Sequence, residues 1–228
     1  MAFPTTSILD NFNRAPAGSP PYLGSNYSGG LTISSNQVVT TNSSTDVGAV
    51  WNVSTFGPGC EVYVDITAMP TSGGAFLCLR SDITYNNSYL VEVVPTFVVV
   101  GKLVSGSFTQ IGSNINVTFS AGDSFGASMI GNTITVYRKT SGSWASIGSV
   151  TDSTYTSAGY IALGIDTDAS VILDNFGGGT YASSANWLKE GYWWNNPYTG
   201  RNQYWRPRES SIFRPKRGAD PGFWRKAA

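Results

Sequence analysis

The chain has 228 residues with no net charge, 12% of them charged, 26 glycines, 12 tyrosines, 11 phenylalanines and no histidine. That length fits one large domain or one domain with an extension, and the composition favours strands over long helices. The missing histidine excludes Ser-His-Asp and Cys-His catalysis and the usual zinc sites, and no run of 18 apolar residues implies a membrane span.

The segment Met1-Ala2-Phe3-Pro4-Thr5-Thr6 lacks a basic region followed by an apolar stretch. The expectation is synthesis in a cytoplasm without export by a signal peptide. Residues 6–12 read as a strand and contain the pentapeptide Ile8-Leu9-Asp10-Asn11-Phe12, which recurs as Ile172-Leu173-Asp174-Asn175-Phe176. The two copies are expected to be the first and last strands of one β-sandwich, side by side and closing it. Asn13 to Gly24 is a Pro/Gly loop. Short strands follow at 31–33, 37–41 and 47–53.

Cys60 to Thr67 alternates with period two: Cys60, Val62, Val64 and Ile66 face one way, and Glu61, Tyr63, Asp65 and Thr67 the other. Strands at 75–80 and 88–94 are joined by the polar loop 81–87. Phe97 to Val104 is nearly all apolar and is expected to be covered on both faces. Further strands fall at 107–111, 115–119, 124–130, 133–138, 144–150, 159–165 and 170–176, with Gly131-Asn132 as a two-residue hairpin turn. About thirteen strands with turn signals every 8–12 residues argue for a two-sheet antiparallel sandwich over 1–180. Cys60 and Cys78 lie in apolar strand patterns and read as free buried thiols, with a disulfide between neighbouring strands as the alternative.

Several segments stand out: Asp10-Asn-Phe-Asn-Arg14, Leu23-Gly-Ser-Asn26, Ala75-Phe-Leu-Cys-Leu-Arg-Ser-Asp82 with Asn87-Ser-Tyr-Leu90, and, most specifically, Gly122-Asp123, Gly131-Asn-Thr-Ile-Thr-Val-Tyr137, Gly148 to Tyr155, Gly159-Tyr-Ile-Ala-Leu-Gly164 and Leu173-Asp-Asn-Phe176 in that order. Together they resemble concanavalin A-like, laminin G-like jelly-roll domains. The resemblance spans roughly residues 6–177. It implies two curved sheets of about six strands with adjacent terminal strands. The superfamily holds lectins, glycoside hydrolases and virion domains, so the fold leaves activity open. This Gly/Ser/Thr-rich variety is similar to domains of tailed-phage minor tail and other virion proteins.

Retaining glycosidases of that superfamily carry clustered acids on one strand, in a pattern like Glu-x-Asp-x-x-Glu, which is absent here. The chain has four glutamates, and Glu61 with Asp65 is the nearest approach to a pair. Spaced i and i+4 on a strand they stand about 13 Å apart, beyond the ~5–9.5 Å of two-carboxylate hydrolysis, and read as solvated acids on an outer face. A sugar site needs aromatics for stacking and planar polar groups for hydroxyls. Arg80, Asp82, Tyr85, Asn87 and Tyr89 lie on one strand–loop–strand unit, and Trp51 and Trp144 are further candidates. The competing reading makes both tryptophans core and pairs Arg80 with Asp82 or Glu92. Asp166 and Asp168 form a weak calcium candidate in a turn. No other cofactor is expected.

Charge is divided along the chain. Residues 1–180 hold five basic and eleven acidic residues, net −6; residues 181–228 hold nine and three, net +6, with five of the seven tryptophans. The aromatic and basic side chains there include Trp187, Trp193, Trp194, Tyr204, Trp205, Arg206, Arg208, Phe213, Arg214, Phe223 and Trp224. Aliphatic residues are scarce, so this stretch lacks a core of its own, and Pro197, Pro207, Pro215 and Pro221 are expected to keep it extended. Trp, Tyr and Arg dominate protein–protein hot spots. The reading is an arm that docks to other virion subunits or to copies of this chain; the acidic body argues against nucleic acid. The chain is thus expected to be a non-enzymatic virion protein whose sandwich meets a host-surface glycan. A free-standing lectin is the alternative, and a glycan hydrolase or lyase the outsider.

Overall fold

A computed structural model describes residues 3–18, 22–42, 44–69, 72–167, 170–182, 192–195, 202–205, 213–215 and 224–226. By internal packing the chain divides into residues 1–181 and 182–228. The first unit contains β1 (Ile8–Asp10), β2 (Tyr27–Gly29), β3 (Thr32–Ser34), β4 (Gln37–Val39), β5 (Val47–Trp51), β6 (Cys60–Ala68), β7 (Gly74–Ser81) and β8 (Ser88–Val94). It continues with β9 (Phe97–Val104), β10 (Ser107–Gln110), β11 (Ile115–Asn116), β12 (Ser124–Ile130), β13 (Thr133–Thr140), β14 (Ser143–Thr151), β15 (Tyr160–Asp166) and β16 (Ile172–Thr180).

These strands form two antiparallel eight-stranded sheets. The first runs β14-β13-β12-β6-β16-β4-β3 with β1 also on β16; the second runs β10-β9-β8-β7-β15-β5-β2 with β11 also on β9. The architecture is an all-β jelly-roll sandwich. Period-two alternation builds the core: Val62, Val64 and Ile66 on β6, Leu77 and Leu79 on β7, Val91 and Val93 on β8, and Ile161, Leu163 and Ile165 on β15 all face inward and are fully buried. Each such side chain contributes roughly 1.5–3 kcal/mol over its exposed state. Gly131 and Asn132 make the expected tight turn, with Ile130 opposite Thr133.

The two pentapeptides meet as expected. β1 pairs antiparallel with β16, Ile8 opposite Gly177 and Asp10 opposite Phe176. Phe12 and Phe176, the last residue of each copy, are both buried, and the Tyr27 ring lies 6.2 Å from one and 6.3 Å from the other. β16 is not an edge strand, however; β6 flanks it on its other side.

Cys60 and Cys78 are free and buried, and burial pushes their thiols up to about 11 and about 12. Phe97 to Val104 is covered less fully than its apolar run suggested. Val98 and Val100 are buried, but Phe97 and Val99 are half-exposed and Val104 is exposed.

In residues 182–228, β17 (Tyr192–Asn195) pairs with β18 (Asn202–Trp205), and β19 (Phe213–Pro215) pairs with β20 (Trp224–Lys226). Trp193 stands opposite Tyr204, Trp194 opposite Gln203 and Arg214 opposite Arg225. Aromatic residues favour strand pairing, and Pro215 sits at a strand end where no ladder donor is needed. Trp187, Arg206, Arg208 and Phe223 lie outside the described residues.

Candidate functional site

At one end of the sandwich, the ends of β7 and β12 and the starts of β6 and β15 come together. Arg80, the penultimate residue of β7, is 5% exposed and organises this end. Its Nε and Nη2 donate to the Pro58 carbonyl, Nη2 also to Gly131 O at 2.8 Å, and Nη1 to Tyr155 O at 2.5 Å. A guanidinium carries five N–H donors in a rigid fork, so one Nη1 N–H remains beyond these bonds. Among the described residues no carboxylate pairs with it, so the expected partners Asp82 and Glu92 are replaced by three backbone carbonyls.

Beside Arg80 lies a cleft of about 350 Å³. Arg80, Ser81, Asp82 and Asn87 form one side, and the run Thr154-Tyr155-Thr156-Ser157-Ala158 forms the other. Each wall is fixed by a carboxylate, Asp82 through donors of its own loop and Asp152 through donors that include β8 and β9 side chains. Asp82 accepts from Thr84 N and Oγ1, Asn86 N, Asn87 N and Asn87 Nδ2 at 2.7–3.1 Å. Burial alone would raise its pKa, but the bonds from Asn87 and Thr84 outweigh this and hold it below the usual range. Asn87 Oδ1 in turn accepts Ser105 N at 3.0 Å.

On the other wall Asp152 accepts Lys102 Nζ at 2.8 Å, Tyr89 Oη at 2.9 Å and Thr154 N at 2.7 Å. Burial again opposes, and the Lys102 ammonium with the Thr154 and Tyr89 donors pulls the carboxyl well below its usual range. Lys102 Nζ also donates to Thr154 Oγ1 at 2.7 Å, and Tyr155 Oη donates to Leu103 O. Thr156 and Ser157 are exposed at the rim. The cleft therefore offers exposed hydroxyls and one aromatic ring on preset backbone.

Of the residues singled out for a sugar site, Arg80, Asp82 and Asn87 meet at this cleft. The oxygens of Asp82 and both ends of the Asn87 amide are already engaged in holding the loop. Tyr89 is fully buried; the alternation that turns Leu90 outward turns its ring inward, against Tyr155 at 5.3 Å. Trp51 packs in the core edge-on to Tyr27 at 5.2 Å. Tyr85 lies on the outer face of the second sheet, 6.1 Å from Phe76 and over Gly48. Trp144 is not core but sits half-exposed on the outer face of the first sheet. Asp152, Lys102 and residues 154–157 were missed. Their signal was an Asp-Ser-Thr turn followed by consecutive hydroxyl residues between two strands.

Glu61 and Asp65 share the outer face of the first sheet, as the alternation required, but the expectation of solvated acids is overturned. Glu61 is fully buried beneath Thr5 and Thr6, and Asp65 accepts Ser124 Oγ and Asn175 Nδ2. Beside the second sheet, Asp46 and Glu92 hydrogen-bond to Asp166. Burial, then the Asp166 and Asp46 carboxylates, pushes Glu92 up to about 8, and burial with Asp166 pushes Asp46 up to about 6. Burial opposes but does not reverse the lowering of Asp166, to which Asp46 and Glu92 hydrogen-bond. Asp168, the other half of the calcium candidate, lies outside the described residues. Among the described residues no group of three or more His, Cys, Asp or Glu is arranged to hold a metal ion.

No protein family and no curated protein sequence matches the chain. Solved structures do. The carbohydrate binding module CBM66 from Bacillus subtilis superposes with a TM-score of 0.53 at 15% identity, covering 68% of this chain and 93% of that one. The VIP36 exoplasmic/lumenal domain in its Ca2+/Man2-bound form gives 0.56 at 11%, covering 78% and 88%. A galectin-like protein of unknown function from Bacillus subtilis gives 0.52 at 14%, covering 68% and 88%. At these identities the likeness establishes the galectin-like, concanavalin A-like jelly roll. Nothing among them bears on a virion.

Proposed function

We propose that the sandwich is a non-catalytic glycan-binding module and that the Arg80–Tyr155 cleft is its binding site. The observation that carries this is the cleft itself. The exposed hydroxyls of Thr156 and Ser157 converge with the Tyr155 ring on walls that internal bonds already hold in place, which is what recognition of a polyhydroxylated ligand needs. The likeness to proteins described as a carbohydrate binding module and as a mannose-bound lumenal domain supports the same class. Neither wall presents a free carboxylate pair for hydrolysis, since Asp82 and Asp152 are both occupied.

The test is a glycan-array screen of the full chain beside Ser157→Trp. That substitution adds a bulky ring at the exposed rim and leaves the anchoring bonds intact. A specific hit lost in Ser157→Trp supports the reading. A blank array, or a hit indifferent to the substitution, overturns the cleft as the site.

A virion setting is a second reading, favoured by the basic, aromatic composition of residues 182–228. On that reading the segment docks the module to neighbouring subunits or copies of itself, and the protein stays in the cytoplasm of its synthesis until assembly. Deleting 182–228 would then abolish incorporation into particles while leaving glycan binding unchanged; normal incorporation would refute it.

A further inference from the structure

The outer face of the first sheet is built as an aromatic box, and the chain's own N-terminal segment fills it. Phe3 is 8% exposed. Its ring lies parallel to Tyr137, with centroids 3.9 Å apart and 1° between planes. Trp144 meets it edge-on at 4.9 Å and Tyr63 at 6.2 Å. The floor is Gly126, where a Cβ would come within 2.6 Å of the Phe3 ring, so the recess exists because that strand position carries no side chain.

Two residues on, the segment closes over Glu61. All the donors that reach this carboxylate from the segment converge on Oε1: Thr5 N and Thr6 N at 2.6 Å, Thr6 Oγ1 at 2.7 Å and Thr5 Oγ1 at 3.1 Å. Tyr63 Oη donates to Thr6 O at 3.0 Å. Glu61 is fully buried, and its Oε2 has no hydrogen-bond partner among the described residues. An orphaned carboxylate oxygen in such a place is expensive when nothing uses it. Its cross-strand neighbour Ser128 is 1% exposed and reaches Tyr137 Oη at a long 3.4 Å, so the hydroxyls beside it are also loosely engaged.

The contacts made by residues 3–6 are those a sugar makes: a flat apolar ring on an aromatic face, and hydroxyls donating to a carboxylate. We infer that this face is a second glycan site, closed by residues 3–6, where a pyranose ring stacks on Tyr137 and donates to Glu61 once Phe3 withdraws. The inference rests on the reading of the sandwich as a glycan binder but concerns a different place on it. The bound segment competes with ligand, so the apparent affinity falls by the fraction of time the face is open. Glu61, Ser128 and Tyr137 recognise hydroxyls without a cation of their own, which fits a neutral glycan.

The experiment is calorimetric titration of cellohexaose, maltohexaose and mannobiose into the full chain and into Phe3→Ala. The open variant is expected to bind at least one of them about tenfold or more tightly than the unaltered chain. Adding Tyr137→Ala should abolish that gain, and adding Ser157→Trp at the cleft should leave it untouched. Thr5→Ala with Thr6→Ala loosens the same segment while keeping the Phe3 ring, and should give a smaller gain. If both openings stay folded by circular dichroism and neither gains affinity, or if Phe3→Ala unfolds and the threonine pair gains nothing, the inference is overturned. A gain that disappears with Ser157→Trp also overturns it, and leaves the cleft standing. A gain that needs Tyr137 in a protein silent at the cleft supports the inference and sinks the cleft.

Discussion

Replacing Arg80 tests the proposition that this residue holds the cleft end together and does not act as a solvent-facing ligand contact. Arg80→Ala removes four N–H···O=C bonds and leaves the carbonyls of Pro58, Gly131 and Tyr155 without those donors. An acceptor so deprived costs roughly 1–3 kcal/mol, and the adjoining cleft lets water reach part of the gap, so the expected loss is about 3–5 kcal/mol. The backbone at Arg80 has φ +48°, a conformation that alanine tolerates no better than arginine. Arg80→Gly should therefore lose about 1 kcal/mol less than Arg80→Ala, although it removes more side chain. Guanidinium chloride unfolding followed by far-ultraviolet circular dichroism measures both, with the slope checked for constancy. A loss below about 1 kcal/mol for Arg80→Ala, or an alanine variant more stable than the glycine one, would refute the clamp.

Three further outcomes follow from the same geometry. Gly159→Ala should destabilise by more than about 2 kcal/mol, because its Cβ would lie 2.6 Å from the Arg80 carbonyl carbon, a backbone atom that cannot swing aside; a neutral thermal shift would contradict the packing. Asp152→Ala should cost about 1–3 kcal/mol at pH 7 by depriving Tyr89 Oη and Lys102 of their acceptor. Since the folded carboxyl titrates below its ordinary value, part of the stability loss of the unaltered protein on acidification should vanish with it; unchanged acid sensitivity would count against the assignment. Glu92 has the opposite sign: it holds its proton more tightly folded than unfolded, so its contribution is full below 4.5 and is lost as pH rises through about 8. Asp46 acts in the same direction up to about 6, and Asp166 opposes both in acid. Melting temperature should thus fall from pH 5 to pH 8 and become flatter in Glu92→Gln; a rise over that interval would refute this account of Glu92.

Strand order along the chain was legible because period-two burial leaves a direct mark. Cys60, Val62, Val64 and Ile66 needed no other information to be placed inward. The closing of β1 on β16 was legible for a different reason, since two identical pentapeptides end in phenylalanines that fill the same part of the core. β2 left no such mark, because Tyr27-Ser28-Gly29 holds a single large apolar residue and lies among Gly and Ser that read as loop. Neither did the burial of Glu61, which depends on a segment 55 residues earlier in the chain lying across it. The cleft proposed as a sugar site was half legible. Arg80, Asp82 and Asn87 were placed together because one strand and its loop carry them, but residues 154–157 come from the connection between β14 and β15, about 70 residues further along the chain. Tyr89 was misjudged by the same alternation that served elsewhere: with Leu90 facing out, its neighbour must face in.

The burial of Glu61 has a physical origin of its own. Burial on the outer faces of the two sheets is decided by what crosses them, not by the strands themselves. Polar groups at such places stay buried when the crossing segment supplies hydrogen bonds in the right number. At the cleft the count is nearly complete: Asp82 has five donors, Asp152 three, and Arg80 four of its five N–H groups engaged. That end is therefore rigid, and a ligand there meets a surface already formed, losing little to reorganisation. Under residues 3–6 the count is lopsided, with four donors on one oxygen of Glu61 and, among the described residues, none on the other. A covering segment that leaves its strongest acceptor half satisfied can be displaced by a ligand that satisfies both oxygens. The two places should accordingly differ in kinetics as well as in residues. Binding at the cleft should be a single fast step, whereas binding on the first sheet should be limited by the opening of residues 3–6 and should speed up in Phe3→Ala. Stopped-flow mixing that finds equal association rates with and without the Phe3 ring would remove the distinction.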